Sequence, residues 1–157
     1  MEKEESLSPI YTKLEGKAIK SIDGAFRLIM EKISKDKVMN QNSIKNIEEA
    51  FKKGEYGSVT FDNNICLISS HVKEIENLII GMLVLKEPFI IDEKPIQLIT
   101  IAITSKKFSK LYVNVLSRLI KIYQDELLFD KLINSKCDKD IKAIIEETPF
   151  LSELLDF

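Results

Sequence analysis

From Ser21 onward, apolar residues recur at three-and-four spacing: Ile22, Ala25, Phe26, Ile29, Met30 and Ile33. That spacing lays one apolar stripe along a helix, with Ser21 as its N-cap. Gly24 weakens this helix without breaking it. A second helix is predicted from a cap at Asn42 or Ser43, with Ile44, Ile47, Ala50 and Phe51 on one face. It ends at Lys52-Lys53-Gly54, where cations complement the last turn of the helix dipole. The period then changes. Val59 to Phe61, Ile65 to Ser70, Leu78 to Leu85 and Ile96 to Thr104 are short, rich in β-branched residues, and bounded by Asn, Asp, Gly or Pro, which predicts strands. Several, above all Leu78 to Leu85, are apolar at consecutive positions and belong in the middle of a sheet covered on both sides. After Ser105-Lys106-Lys107 the helical period returns through Phe108, Leu111, Val115, Leu116, Leu119, Ile120 and Tyr123. Asp125 to Ile133 predicts a further helix. Asp138, followed by Ile141, Ile144 and Ile145, caps another that Pro149 ends.

The order of helices, strands and helices predicts an α/β (α+β) fold, a mixed sheet of about four to five strands with helices on both faces. Residues 1–20 are polar, with only Ile10, Tyr11 and Leu14 as an apolar cluster, and read as a flexible lead-in to a single domain over 21–157. A chain of 157 residues can bury one sizeable core. Its 23 Lys plus Arg are interspersed among 25 Asp plus Glu, for a net charge of −2. That distribution argues against nucleic acid as the main ligand, which calls for a concentrated basic face. Cys66 and Cys137 are far apart, without a CxxC spacing, so neither a zinc site nor a disulfide framework is indicated. The start of the chain lacks the apolar run of a secretion signal, and Leu78 to Leu85 is far short of the ~20 residues needed to span a bilayer. A reduced, cytoplasmic location without direct membrane insertion is expected.

His71 is the only histidine. It closes the strand-like run Ile65-Cys66-Leu67-Ile68-Ser69-Ser70 and precedes the charged turn Lys73-Glu74-Ile75-Glu76. An unperturbed imidazole titrates near pH ~6.5, so at neutral pH one ring nitrogen keeps the lone pair a nucleophile needs. Composition alone favours a histidine without chemistry. Ser69 and Ser70 could offer hydroxyls to an anion at the strand end, although such serines more often satisfy the backbone of a turn. Lys106, Lys107 and Lys110 could help dock an acidic partner, with a solvated helix start as the plainer meaning.

The segment Leu85-Lys86-Glu87-Pro88-Phe89-Ile90-Ile91-Asp92, followed by Pro95 to Ile103, resembles a segment and the next strand of the type-2 (mannitol/fructose/nitrogen-regulatory) enzyme IIA domains of the bacterial phosphoenolpyruvate-dependent sugar phosphotransferase system. Order and distance add to this. A strand-terminal histidine lies about fifteen residues upstream, a helix pair precedes it, and a helix from Leu111 to Ile122 leads to Asp125-Glu126 downstream. The resemblance runs from about Ile22 to Glu147.

The resemblance implies that His71 accepts a phosphoryl group from the phosphocarrier HPr and passes it to a cysteine of a IIB domain, or holds it as a regulatory switch. It implies Lys53 in place of a family arginine that steadies the phosphoryl group, with the charge kept and the planar fork lost. A second family histidine falls at Tyr112, whose phenol can donate a hydrogen bond but cannot carry protons near neutral pH. Ser70 stands where the family has proline, and the glycine-rich loop upstream is replaced by Gly57 to Asn64. No cofactor or metal is implied, because the donor already carries an activated phosphoryl group. Two functions follow as expectations: a phosphocarrier or phosphoswitch with His71 as acceptor and Lys53, Ser70 and Tyr112 around the phosphate; or a drifted enzyme IIA-like regulatory module that binds proteins without onward transfer.

Overall fold

A computed structural model describes residues 9–36, 39–61 and 64–149. Helix α1 (Ile22–Lys35) starts where the Gly24 amide donates to the Ser21 hydroxyl at 3.1 Å, as the sequence predicts. Helix α2 (Gln41–Lys52) starts slightly earlier than expected. Its cap is Asn40, whose side-chain oxygen accepts the Ser43 amide at 2.8 Å. Strands β2 (Gly57–Phe61) and β3 (Ile65–His71) follow, then β4 (Ile79–Ile91) and β5 (Lys94–Thr104). A short 3-10 turn, Lys106–Phe108, leads into α3 (Ser109–Gln124), α4 (Glu126–Ile133) and α5 (Asp138–Glu147). Cys137 holds the N-cap position of α5, so Asp138 is its first helical residue rather than its cap.

The lead-in expected over residues 1–20 contains a strand, β1 (Ile10–Lys17), which pairs in parallel with β4 from Ile10 opposite Ile79. Residues 1–8 lie outside the described segments. Tyr11 and Thr12 are buried, and the Lys13 side chain is only 6% exposed. Its ammonium donates to the carbonyls of Leu132 at 3.3 Å, Ser135 at 3.0 Å and Ile133, and pairs with Glu15 at 2.6 Å. A buried cation thus closes the C-terminal end of α4, where unpaired carbonyls point out of the helix.

The five strands form one mixed sheet in the order β1-β4-β5-β3-β2. β3 is parallel to β5, whereas β4 is antiparallel to β5. Side chains alternate along each strand, so the sheet separates two apolar layers. On one face α1 and α2 bring Phe26, Ile29, Ile47 and Phe51 onto Cys66, Ile68, Ile99 and Ile101. On the other, α3, α4 and α5 bring Val115, Leu119, Ile141 and Ile145 onto Ile65, Leu67, Ile80 and Leu98. The all-apolar run of β4 has this cause: it is covered on both faces. At Gly81 an added Cβ would stand 2.6 Å from Ile29 Cγ2, so only glycine lets α1 approach the sheet this closely.

β4 and β5 extend further than their apolar cores suggest. Pairing is interrupted between Val84 and Phe89, where Pro88 has no amide to donate, and resumes to a two-residue turn at Asp92-Glu93. Both turn residues have positive φ, 50° and 66°, the handedness that suits a tight hairpin. β4 leaves the His71 end of the sheet near Ile79, opposite Ile103, so the Lys86-Glu87-Pro88 segment lies toward the opposite end. The Lys86-Glu87-Pro88 segment thus shapes the hairpin, away from His71.

Candidate functional site

His71 ends β3 opposite Thr104 of β5, and the next amide, Val72, donates to the Thr104 carbonyl at 2.7 Å. β2 begins at Gly57, opposite Ser69, so the strand end at Ser70 and His71 runs past it. Neighbouring residues on a strand face opposite ways, and these two divide accordingly. His71 is exposed and turns toward the α3 face, where its ring centroid lies 5.4 Å from that of Tyr112. The rings are nearly perpendicular, at 79°. Tyr112 itself is buried at 8% exposure, so a fixed aromatic edge steadies a solvent-facing imidazole.

Ser70 turns to the other face and is buried. Its hydroxyl donates to the Glu55 carbonyl at 2.7 Å and ties the α2–β2 connection to the strand end. Its single proton is committed there. Ser70 therefore shapes the site by fixing β3. Lys53 is the C-cap of α2, exposed, two residues before Glu55, so this tie anchors the turn that carries it. The structure thus brings His71 and Tyr112 into contact, and joins the Lys53 turn to the site through Ser70.

The loop after His71 is equally fixed. Val72 and Ile75 are buried in the α1–α2 layer. The Asn46 side chain donates to the Glu74 carbonyl at 2.8 Å, and the Glu76 amide donates to the Ser43 hydroxyl at 3.2 Å. Asn40 donates to the Glu76 carboxylate from its side chain at 3.1 Å and from its backbone amide. These contacts join residues about thirty positions apart, and no local pattern in the sequence announces them. They hold the exit from His71 against α2, so the imidazole is offered from a rigid strand end.

Other nucleophiles compete poorly. Burial, with a smaller contribution from the Asp92 charge, pushes the Cys66 thiol up to about 11, which leaves little thiolate at neutral pH. Cys137 is exposed at the start of α5, on an element remote in sequence from β3. Among the described residues no group of three or more His, Cys, Asp or Glu could hold a metal ion. A surface cavity of about 750 Å³, lined by Lys121, Leu128, Ile144 and Thr148 among others, includes none of the residues around His71. The site is an exposed strand end rather than a pocket, suited to meeting another macromolecule.

A family model described as "Phosphoenolpyruvate-dependent sugar phosphotransferase system, EIIA 2" matches residues 6–148. The chain belongs to this EIIA 2 family. Among solved structures it is similar to the nitrogen regulatory protein IIA-Ntr from Neisseria meningitidis, with a TM-score of 0.60 at 14% identity over 85% of this chain and 92% of that one. It is similar also to a PTS IIA candidate (PtxA) from Streptococcus mutans, with a TM-score of 0.56 at 17% identity over 87% of each chain. For IIA mannitol from Escherichia coli the TM-score is 0.50 at 10% identity, over 85% and 94% respectively. No curated protein sequence matches the chain. At these identities the solved structures speak for the fold, and the family match supports a phosphocarrier role for this EIIA 2 domain within the phosphotransferase system. Among its described residues no helix is long and apolar enough to cross a membrane.

Proposed function

We propose that this EIIA 2 protein is a cytoplasmic phosphocarrier or phosphoswitch that accepts its phosphoryl group on His71. The observation that carries the reading is an exposed imidazole at a fixed strand end, held edge-on by buried Tyr112. The lone pair of a neutral His71 ring nitrogen attacks the phosphorus of a donor phosphohistidine in line. One N–P bond forms as the other breaks, the PO₃ group moves whole, and the donor imidazole recovers the proton that His71 gives up. Such transfers rest on positioning and on donors or positive charge around the equatorial oxygens. Tyr112 supplies a phenol next to the ring, and Lys53 supplies a cation on the turn that Ser70 secures. An HPr-like protein is the donor in this reading, and a IIB domain or a regulatory target is the recipient.

Tyr112 favours a second reading within the same site. A phenol orients the ring and donates a hydrogen bond, but does not relay protons near neutral pH, so phosphate on His71 could serve as a signal without onward transfer. The test is incubation with phosphoenolpyruvate, enzyme I and HPr, with wild type and His71→Gln side by side. Acid-labile phosphate on wild type alone is the expected result, and equal labelling of both proteins would refute it. Addition of a IIB domain then separates the two readings, since only a carrier loses its label to the IIB cysteine.

A further inference from the structure

Helix α4 carries more apolar surface than its described neighbours cover. Leu127, Leu128, Phe129, Leu132 and Ile133 make up five of its eight residues, yet Leu132 alone is buried. Leu127 is 77% exposed, the most exposed large apolar side chain among the described residues. It lines a surface cavity of about 750 Å³ between α4 and the end of α5, together with half-buried Leu128 and Ile144. The charges around this cavity, Lys121 and Lys131 against Asp125, Asp130 and Glu147, nearly balance, and the Asp125 carboxylate already accepts the Leu128 amide at 3.0 Å. Apolar area, not net charge, therefore selects what fits there.

The chain itself leads into the cavity. Thr148 and Pro149 line it as they leave α5, and the family match stops at residue 148. The residues after Pro149 are Phe150-Leu151-Ser152-Glu153-Leu154-Leu155-Asp156-Phe157. At the helical turn of about 100° per residue, Phe150, Leu151, Leu154, Leu155 and Phe157 fall on one side, and Ser152, Glu153 and Asp156 fall on the other. The separation is complete. A helix start precedes this run. Thr148 has the extended backbone of an N-cap, and Pro149 takes the first helical position, where its missing amide costs nothing. Eight helical residues span about 12 Å, the length of α4 with its own eight.

We infer that residues 150–157 fold back as an amphipathic helical segment whose apolar side occupies the groove between α4 and α5 and covers Leu127. Attachment at the groove's edge favours this occupant over a separate molecule. The segment has only to close a turn at Pro149, whereas a second copy of the chain loses its translational and rotational freedom on binding. Seated so, the segment gives α4 the burial its sequence calls for and keeps an apolar face from joining two molecules.

The test is a mutant cycle in the full chain. Leu127→Gln, Leu151→Asp/Leu154→Asp and their combination are compared with wild type, with Ser152→Asp as a control on the polar side. An uncovered leucine at 77% exposure can become glutamine, an equally good helix former, without measurable loss. Covered by the segment, Leu127→Gln is expected to lower the melting temperature by about 3 °C or more. The same change should cost far less in the Leu151→Asp/Leu154→Asp background, because its partner is already displaced. Leu151→Asp/Leu154→Asp alone should speed amide exchange in α4 about tenfold, and Ser152→Asp should leave both melting and exchange as they are. A neutral Leu127→Gln overturns the inference, as does a loss that is equal in both backgrounds. Sedimentation distinguishes the remaining occupant: a wild-type dimer that Leu151→Asp/Leu154→Asp dissolves would give the groove to a second copy and overturn the intrachain contact.

Discussion

At the scale of single residues, two neighbours at the end of β3 divide the work. His71 faces solvent beside Tyr112, and Ser70 faces inward to hold the Glu55 carbonyl. Replacing Ser70 by alanine leaves that carbonyl without its donor at a cost of about 1–2 kcal/mol. The strand end then loosens. Thermal unfolding should show the loss of stability, and labelling of His71 by a small phosphoryl donor should slow several-fold without stopping. Ser70→Thr, which keeps the hydroxyl, should recover most of both. A Ser70→Ala protein that loses labelling altogether at unchanged stability would instead mean that the hydroxyl touches the phosphate. Strand neighbours alternate, yet the sequence reading set Ser70 beside His71 around the phosphate, whereas the structure turns its hydroxyl to the Glu55 carbonyl on the other face. The partner of each was not legible in the sequence. His71 and Tyr112 lie 41 positions apart, on a strand and a helix, and only the family resemblance paired them. The Glu55 tie left no signal, because a backbone carbonyl has no residue identity.

At the scale of elements, the shift from three-and-four spacing to short β-branched runs marked α1 to α3 and β2 to β5 in order, because burial sets those periods. β1 escaped notice for a physical reason. Its buried positions include Thr12 and Lys13, which read as polar, solvent-facing residues until the helix that needs a cation is known. β4 and β5 were drawn short because proline normally ends a strand, whereas Pro88 falls where their pairing is interrupted and Pro95 sits within it, opposite Ile90. Lys13 yields a prediction at this scale. Lys13→Met keeps the bulk but takes the ammonium from the Ile133 and Ser135 carbonyls, while Leu132 keeps the Ser135 hydroxyl at 2.7 Å, at a cost of about 2–3 kcal/mol. For a domain of this size that lowers the melting temperature by roughly 5–10 °C. Amide exchange should quicken first in α4 and β1. Unchanged melting would show that the ammonium contributes nothing net to the junction.

At the scale of the whole molecule, one sheet with a helical layer on each face brings the end of β3, the start of α3 and the turn after α2 to one rim. The proposed function needs no pocket, because a donor protein would bring its phosphoryl group already activated, and the rim would have only to hold an imidazole still and admit a partner. The segment that resembles the family most closely, Lys86-Glu87-Pro88, lies toward the opposite end of the sheet and shapes the hairpin. Fold recognition and chemistry therefore came from different parts of the chain. Because His71 is the only histidine, its ring gives a single set of imidazole signals in a nuclear magnetic resonance spectrum. The decisive measurement is that spectrum before and after treatment with phosphoenolpyruvate, enzyme I and HPr. The account predicts that the imidazole signals shift completely, that one ring nitrogen couples to phosphorus, and that acid restores the original spectrum. An unmoved imidazole while the donor mixture phosphorylates a known IIA protein in parallel would contradict it.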